Sequence, residues 1–214
     1  MALRARCSFG IVAAAVLWCG LVFLPWMVPG YDWVRQTVSE IGEIGSPARI
    51  PFAILLCCFA ACVLVFAWAL RDVSLKLGRR AAAAYVCGFM AVSSVGVGIF
   101  AFPHPLHNVF GMSELISYQA PWVLALTWRR APQAKAIVSF SWIMAVLVWC
   151  AIIANLGVLD WRGTLQNLEQ PVYGIVQRSL FLAWCVWLAG VSLMLVRSRG
   201  IAADRATTTV LSVD

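Results

Sequence analysis

Residues 50–70 read IPFAILLCCFAACVLVFAWAL, a run of 21 residues without a charged side chain. A helix needs about 20 largely apolar residues to cross the hydrocarbon core of a bilayer, so this run predicts a transmembrane helix. Five further apolar stretches occur along the chain, and they cover residues 8–28, 81–102, 115–128, 136–159 and 172–196. Because the stretch 115–128 is short for a span, we expect its helix to begin near His107.

The composition of the whole chain agrees with a membrane protein. Of its 214 residues, 63% are hydrophobic and 12% are charged, which is too apolar for an ordinary soluble domain. We therefore predict an all-α polytopic membrane bundle of six transmembrane helices, forming one domain over residues 1–199. No small-x-small cleavage site follows the first apolar run, so we expect that run to remain as a helix. Residues 200–214 are polar and rich in threonine, and we expect a disordered cytoplasmic tail.

The basic residues indicate the orientation. Of the 16 Lys and Arg residues, 12 fall on one side of the predicted spans, and the other side holds only Arg35, Arg49, Arg162 and Arg178. Since cytoplasmic loops carry an excess of Lys and Arg, both termini are predicted to be cytoplasmic. The net charge of +7 comes from short clusters between apolar runs. It does not form the basic face that nucleic-acid binding requires, so we predict no nucleic-acid partner.

The cysteine and histidine patterns favour packing over metal binding. The eight cysteines lie in or next to apolar runs, where a free thiol is usually a buried, inert side chain. The only two histidines, His104 and His107, are interrupted by Pro105 and lack a third ligand at the spacing of zinc motifs. We therefore predict no metal site and no cofactor.

Polar residues gather in the loop between the first two spans, on the predicted outer side. Residues 33–47 read WVRQTVSEIGEIGSP, with apolar positions at helical spacing, which predicts a short interfacial helix. Such a helix would hold Glu40 over the bundle as a candidate catalytic carboxylate. The alternative is a capping box, in which Thr37 and Glu40 satisfy backbone amides. Arg35 and Ser39 of the same loop are candidate ligand-binding residues.

A second polar segment, residues 102–121, reads FPHPLHNVFGMSELISYQAP. If its helix begins near His107, then His107, Glu114 and Tyr118 form one stripe that descends from the outer surface. An ionisable residue inside the membrane is a functional-site hypothesis by default, so Glu114 is a candidate acid or base. His107 and His104 are candidate proton carriers with Glu114 as the partner. The alternative is that both rings cap the third helix or lie among the lipid headgroups.

The sixth span opens with LEQPVYGIVQR, residues 168–178. A helix that starts at Pro171 would bury Arg178 by roughly 10 Å, since each residue rises 1.5 Å. The guanidinium either reaches lipid phosphates or pairs with a carboxylate, and we expect a pair with Glu114, Glu40 or Glu169. The candidate ligand-binding residues on this side are Arg178, Gln177, Tyr118, Tyr173, Glu169, Gln119, Arg35 and Ser39.

Three of these segments together resemble the bacterial membrane-protein family known as domain of unknown function 998. They are RQTVSEIG at residues 35–42, FPHPLHNVFG at residues 102–111 and YGIVQR at residues 173–178. The resemblance spans most of the chain. It implies a compact multi-helix fold in a bacterial inner membrane, and it implies no established activity.

Three functions remain open at this point. The first is an integral membrane protein with an ionisable pocket near the extracytoplasmic face, which binds a small amphipathic ligand or serves assembly. The second is a membrane enzyme that acts on a lipid or isoprenoid-like substrate by Glu and His acid–base chemistry, with Arg178 holding an anionic headgroup. The third is a proton-coupled transporter, although no broken-helix pair or inverted repeat is visible. The expected partners are the lipid bilayer and a lipid or amphipathic small molecule, and the oligomeric state is left open.

Overall fold

The computed structural model describes residues 1–158 and 172–198, and the regular structure within them is helical. Glu169 and the predicted tail over residues 200–214 lie outside the described residues. Turns of 3-10 helix occupy Leu24–Met27 and Pro132–Ala134. The α-helices are α1 (Leu3–Cys7), α2 (Phe9–Phe23), α3 (Val38–Ile41), α4 (Arg49–Lys76), α5 (Ala82–Ile99), α6 (Pro105–Ser117), α7 (Ala120–Trp128), α8 (Lys135–Val158) and α9 (Tyr173–Arg197).

Five helical segments are long and apolar enough to cross a membrane: Leu3–Met27, Arg49–Lys76, Ala82–Ile99, Pro132–Gly157 and Tyr173–Arg197. They correspond to the first, second, third, fifth and sixth predicted spans. Large apolar side chains such as Ile50, Ile143 and Ile153 remain exposed on their outer surfaces. A helix surface of this kind is stable against lipid, because the hydrocarbon takes the place of a protein neighbour. The chain is thus a multi-pass integral membrane protein in contact with the lipid bilayer.

The fourth predicted span is divided into α6 and α7, which are separated by Tyr118 and Gln119. The break has a local cause in Pro121, which has no N–H to donate to the carbonyl four residues earlier and whose ring crowds that carbonyl. That carbonyl belongs to Ser117, and it accepts a hydrogen bond of 3.1 Å from the indole nitrogen of Trp184. The indole of α9 therefore replaces the backbone donor that proline removes.

The helices form a closed ring. Contacts run from α2 to α4, from α4 to α5, from α5 to both α6 and α7, from α7 to α8, from α8 to α9, and from α9 back to α2. The ring closes tightly at Gly10 of α2, where a Cβ atom would lie 2.9 Å from the carbonyl oxygen of Leu188 in α9. Close approach of two helices in lipid commonly relies on such small residues.

One end of the bundle, which we call the basic end, contains residues 1–7, 77–81 and 129–134. Here Arg6 forms an ion pair of 2.8 Å with Asp72, and Arg79 donates to the carbonyl of Arg130. The interior next to this end is filled by large side chains. The indole nitrogens of Trp128 and Trp187 donate to the hydroxyls of Ser74 and Ser141, at 3.2 and 3.0 Å, and all four residues are buried. The end that carries residues 28–48 and 100–104 is called the opposite end below.

Candidate functional site

A cavity of about 440 Å³ lies inside the ring, in the half of the bundle nearer the opposite end. It is bounded by α3, by the first turns of α4 and α9, by the last turns of α2, α5 and α8, and by one face of α6. Most of the wall is aliphatic or aromatic. The polar lining residues are Ser39, Ser94, His107, Asn108, Glu114, Tyr118, Asn155, Tyr173 and Gln177.

Glu114 is the only acidic side chain among the described residues that line this cavity, and no Lys or Arg accompanies it there. Its Oε2 accepts a hydrogen bond of 2.9 Å from the hydroxyl of Tyr118, one helical turn further along α6. Tyr118 is its one hydrogen-bond partner in the described part of the chain, so the other carboxyl oxygen remains available to a ligand. The helical stripe of His107, Glu114 and Tyr118 lines the cavity along its length.

His107 is buried at the top of this stripe, and both of its ring nitrogens are engaged. Nδ1 lies 2.8 Å from the carbonyl oxygen of Phe100, the residue that ends α5, and Nε2 lies 2.9 Å from the hydroxyl of Ser39. A carbonyl can only accept, so Nδ1 carries a proton and donates it to Phe100. The expectation that His107 pairs with Glu114 is wrong. The alternative, in which this ring caps the third predicted helix, is confirmed.

His104 has a separate, local role. Its Nδ1 accepts the backbone N–H of Leu106 at 3.2 Å, and its ring stacks on that of Phe100 with centroids 5.1 Å apart. It therefore caps the N-terminus of α6, and it does not line the cavity. Across residues 1–158 and 172–198, His, Cys, Asp and Glu side chains do not form a group of three or more that could hold a metal ion.

Arg178 anchors the first loop of the opposite end to α9. Its guanidinium donates to the carbonyl oxygens of Trp33 and Gln36, both at 3.1 Å, to that of Gly174 at 2.8 Å, and to the hydroxyl of Tyr31. It also lies over the rings of Trp33 and Tyr31, at 4.9 and 5.6 Å from their centroids. Burial raises the pKa of the Tyr31 hydroxyl and outweighs the lowering effect of Arg178. Tyr31 thus keeps the proton that it donates to the loop backbone.

The expected ion pair between Arg178 and Glu114 or Glu40 is wrong, and the third proposed partner, Glu169, lies outside the described residues. Backbone carbonyls and aromatic faces provide the negative potential that a carboxylate was expected to supply. Arg178 is 6% exposed and does not line the cavity. Its position is that of a structural clamp on the loop.

Gly174 allows the loop to come this close to α9. A Cβ atom at this position would lie 2.5 Å from the carbonyl oxygens of both Trp33 and Gln36. These are the two loop carbonyls that Arg178 binds. Gly174 leaves room for them beside α9, and the guanidinium of Arg178 holds them there. A second link follows nearby, where Gln177 accepts the backbone N–H of Val38 at 2.6 Å.

The loop itself forms the capping box that was one of the two sequence interpretations. Thr37 Oγ1 accepts the N–H of Glu40 at 3.3 Å, and the Glu40 carboxylate accepts both the N–H and the hydroxyl of Thr37. The helix that follows is one turn long and contains Ser39, which faces His107. Arg35 is 71% exposed and lies 3.8 Å from Asp32, away from the cavity.

Sequence reasoning did not identify several lining residues as part of a site. Asn155 is a lone amide in an apolar run, and its side chain donates to the carbonyls of Ala151 and Val176, at 2.8 and 3.0 Å, which ties α8 to α9. An isolated amide in a predicted span is a sequence feature that would have drawn attention to it. Asn108 and Ser94 gave no such indication. Gln119, a predicted ligand-binding residue, donates to the carbonyl of Leu115 at the helix break instead.

The three segments that carry the family resemblance meet at the opposite end of the bundle. Ser39 of the first contacts His107 of the second, and Gln36 of the first contacts Arg178 of the third. Comparison with curated proteins and with solved structures finds no match. The sequence profile of one family matches residues 11–194, and hence most of the chain. The chain belongs to this family, which is described as Protein of unknown function (DUF998).

Proposed function

We propose that this protein binds a small amphipathic molecule in the cavity enclosed by its helices. The observation that carries the proposal is the cavity itself, whose volume of about 440 Å³ falls within the range of about 300–1,000 Å³ that small-molecule sites occupy. Its mainly apolar wall with a few polar groups resembles such sites in composition. An amphipathic ligand would place its chain against Leu56, Phe59 and Leu180 and its headgroup near Glu114.

The proposal includes the orientation of the cavity. The basic end is cytoplasmic by the distribution of Lys and Arg, so the cavity lies in the extracytoplasmic half of the membrane. In this proposal the α6–α7 pair crosses the membrane as the broken fourth of six spans, which leaves both termini in the cytoplasm. The family resemblance favours a bacterial inner membrane. We propose α3, a single turn that contributes Ser39 to the cavity wall, as the interfacial helix.

The geometry gives less support to the other two functions. Acid–base chemistry by His107 would require a free ring nitrogen, and both nitrogens are occupied by Phe100 and Ser39. Transport would require a path to the basic end, where Trp128 and Trp187 fill the interior. The α6–α7 break is one discontinuous helix, whereas transporter sites commonly use a pair. A catalytic role for Glu114, His107, His104 or Glu40 remains a prediction from the sequence.

Binding of radiolabelled dodecanol to the purified protein in phosphatidylcholine nanodiscs tests the proposal. We expect saturable binding above that of empty nanodiscs, at about one molecule per chain. Leu56→Trp should abolish it, because Leu56 is buried on the cavity wall and the indole would fill the space. The matched control is Ile54→Trp, two residues away on α4, where the side chain is exposed on the lipid-facing surface.

Leu180→Trp on the opposite wall provides a second filling variant, in case the first one does not fold. Gel filtration and helical circular dichroism identify the variants that are folded. Dodecanol binding that is absent from the wild type, or that both folded filling variants retain in full, would refute this binding site.

A further inference from the structure

The charges of the cavity lining indicate what kind of headgroup it accepts. Across the described residues, the lining contains one acidic side chain, Glu114, and no Lys or Arg. Arg178, the nearest candidate to hold a phosphate, directs its donors to the carbonyls of the first loop. An anionic headgroup would therefore meet a carboxyl group and no compensating cation, and burying like charges together is costly.

The available oxygen of Glu114 suits a donor. The hydroxyl of Tyr118 donates a hydrogen bond to one carboxyl oxygen, and no described side chain donates to the other. A protonated amine has hydrogen-bond donors and a compensating charge, and such charge-assisted hydrogen bonds are about twice as strong as neutral ones. A neutral hydroxyl would supply the donor without the charge.

The rest of the wall is also suited to a cation. Six aromatic side chains line the same cavity: Phe52, Phe59, Tyr118, Tyr173, Phe181 and Trp184. The faces of aromatic rings attract cations, and this attraction increases where water is excluded. A carboxyl group among aromatic rings is therefore a favourable environment for an ammonium group with an apolar chain.

Resting on the proposed function, we infer that the cavity selects lipophilic amines, with Glu114 binding the ammonium headgroup, over alcohols and carboxylates of the same chain length. Glu114 acts here as the specificity-determining residue. The aliphatic wall near Leu56 and Leu180 binds the chain of all three classes equally, so only the headgroup distinguishes them.

Competition against radiolabelled dodecanol in phosphatidylcholine nanodiscs tests this inference with three probes of equal chain length: dodecylamine, dodecanol and dodecanoate. On the wild type, dodecylamine should compete at about tenfold lower concentration than dodecanol, since a charge-assisted hydrogen bond is stronger than a neutral one. Dodecanoate should compete least well. This order is measured on the unaltered protein and does not depend on any variant folding.

Glu114→Gln should remove the preference, so that amine and alcohol compete equally. The matched control is Glu43→Gln, which alters a carboxylate of the opposite end that does not line the cavity. Equal competition by the three probes on the wild type, or an amine preference that survives Glu114→Gln, would overturn the inference and leave the binding function intact. Absence of saturable binding for every probe would instead overturn the proposed function.

Discussion

Arg178 is a buried cation whose partners are backbone carbonyls and aromatic rings. It fixes residues 31–37 against α9 through two loop carbonyls, one hydroxyl and two ring faces. Because the loop positions Ser39 against His107, and both line the cavity, the clamp also supports this part of the cavity wall. A residue that does not touch the cavity thus supports its shape.

Replacing Arg178 by alanine should destabilise the protein strongly. The change leaves the carbonyl of Trp33 without its donor and removes one of the two donors to Gln36, at a cost of about 3 kcal/mol. Thermal unfolding in detergent, followed by circular dichroism, should show a lowered midpoint. Arg35→Ala is the control, since Arg35 is exposed and makes only a weak surface pair, and its midpoint should stay close to the wild-type value. Equal midpoints for the two variants would contradict the clamp.

Gly174→Ala should destabilise the protein to a similar extent, because of a steric clash and not because of a lost donor. The added methyl group would overlap the two loop carbonyls, and backbone atoms cannot move aside without displacing the loop. Gly111→Ala, in the helical interior of α6, meets nothing within 4 Å and should leave stability unchanged or raise it by about 1 kcal/mol. Proteolysis of the loop reports the displacement, which we expect in the first variant and not in the second.

These residue-scale contacts show why the sequence misassigned the partner of Arg178. In a sequence, only charged side chains stand out as partners for an arginine, and on this side of the predicted bundle the expected ones were the carboxylates of Glu114, Glu40 and Glu169. Every residue has a backbone carbonyl, so no sequence feature marks the carbonyls of Trp33 and Gln36 as acceptors. The aromatic residues Tyr31 and Trp33 were visible in the loop, but their position over Arg178 depends on the folded backbone.

At the scale of helices, the break between α6 and α7 determines where Glu114 and Tyr118 lie. The length and apolarity of the five long helices could be predicted, because a lipid-crossing helix is defined by a local property of the chain. Pro121 was equally visible, but proline is tolerated in membrane helices by kinking or by breaking. Which of these occurs depends on a donor for the carbonyl of Ser117, and that donor comes from Trp184, 67 residues away.

A double-mutant cycle tests the origin of the break. Trp184→Phe should cost about 1–3 kcal/mol, because the buried carbonyl of Ser117 loses its donor. In a Pro121→Ala background the N–H of residue 121 can satisfy that carbonyl, so the same substitution should cost less. Thermal unfolding of the four proteins measures the coupling. Additive effects of the two substitutions would show that the indole does not compensate for the proline.

At the scale of the whole molecule, the ring of helices places polar groups at one end and basic groups at the other. The alternation of Lys and Arg along the sequence predicts this separation, because each crossing reverses the side of the membrane. The stripe on α6 could likewise be predicted from helical periodicity. The cavity could not, since its walls come from seven helices and its volume depends on how they pack.

The orientation is testable with single cysteines. Ile44→Cys lies in an exposed loop of the opposite end, and Arg80→Cys lies in an exposed loop of the basic end. In intact cells a membrane-impermeant maleimide should label the first and not the second. Permeabilised cells should allow labelling of both, and the wild-type protein gives the background from its native cysteines. Labelling of residue 80 from outside would reverse the proposed orientation.

The interior near the basic end is occupied by indole rings whose only polar atoms are already bonded to serine hydroxyls. Such a plug gives water no chain of partners along which protons could hop between compartments. If the cavity binds a ligand as proposed, that ligand must leave by the same end of the bundle through which it entered.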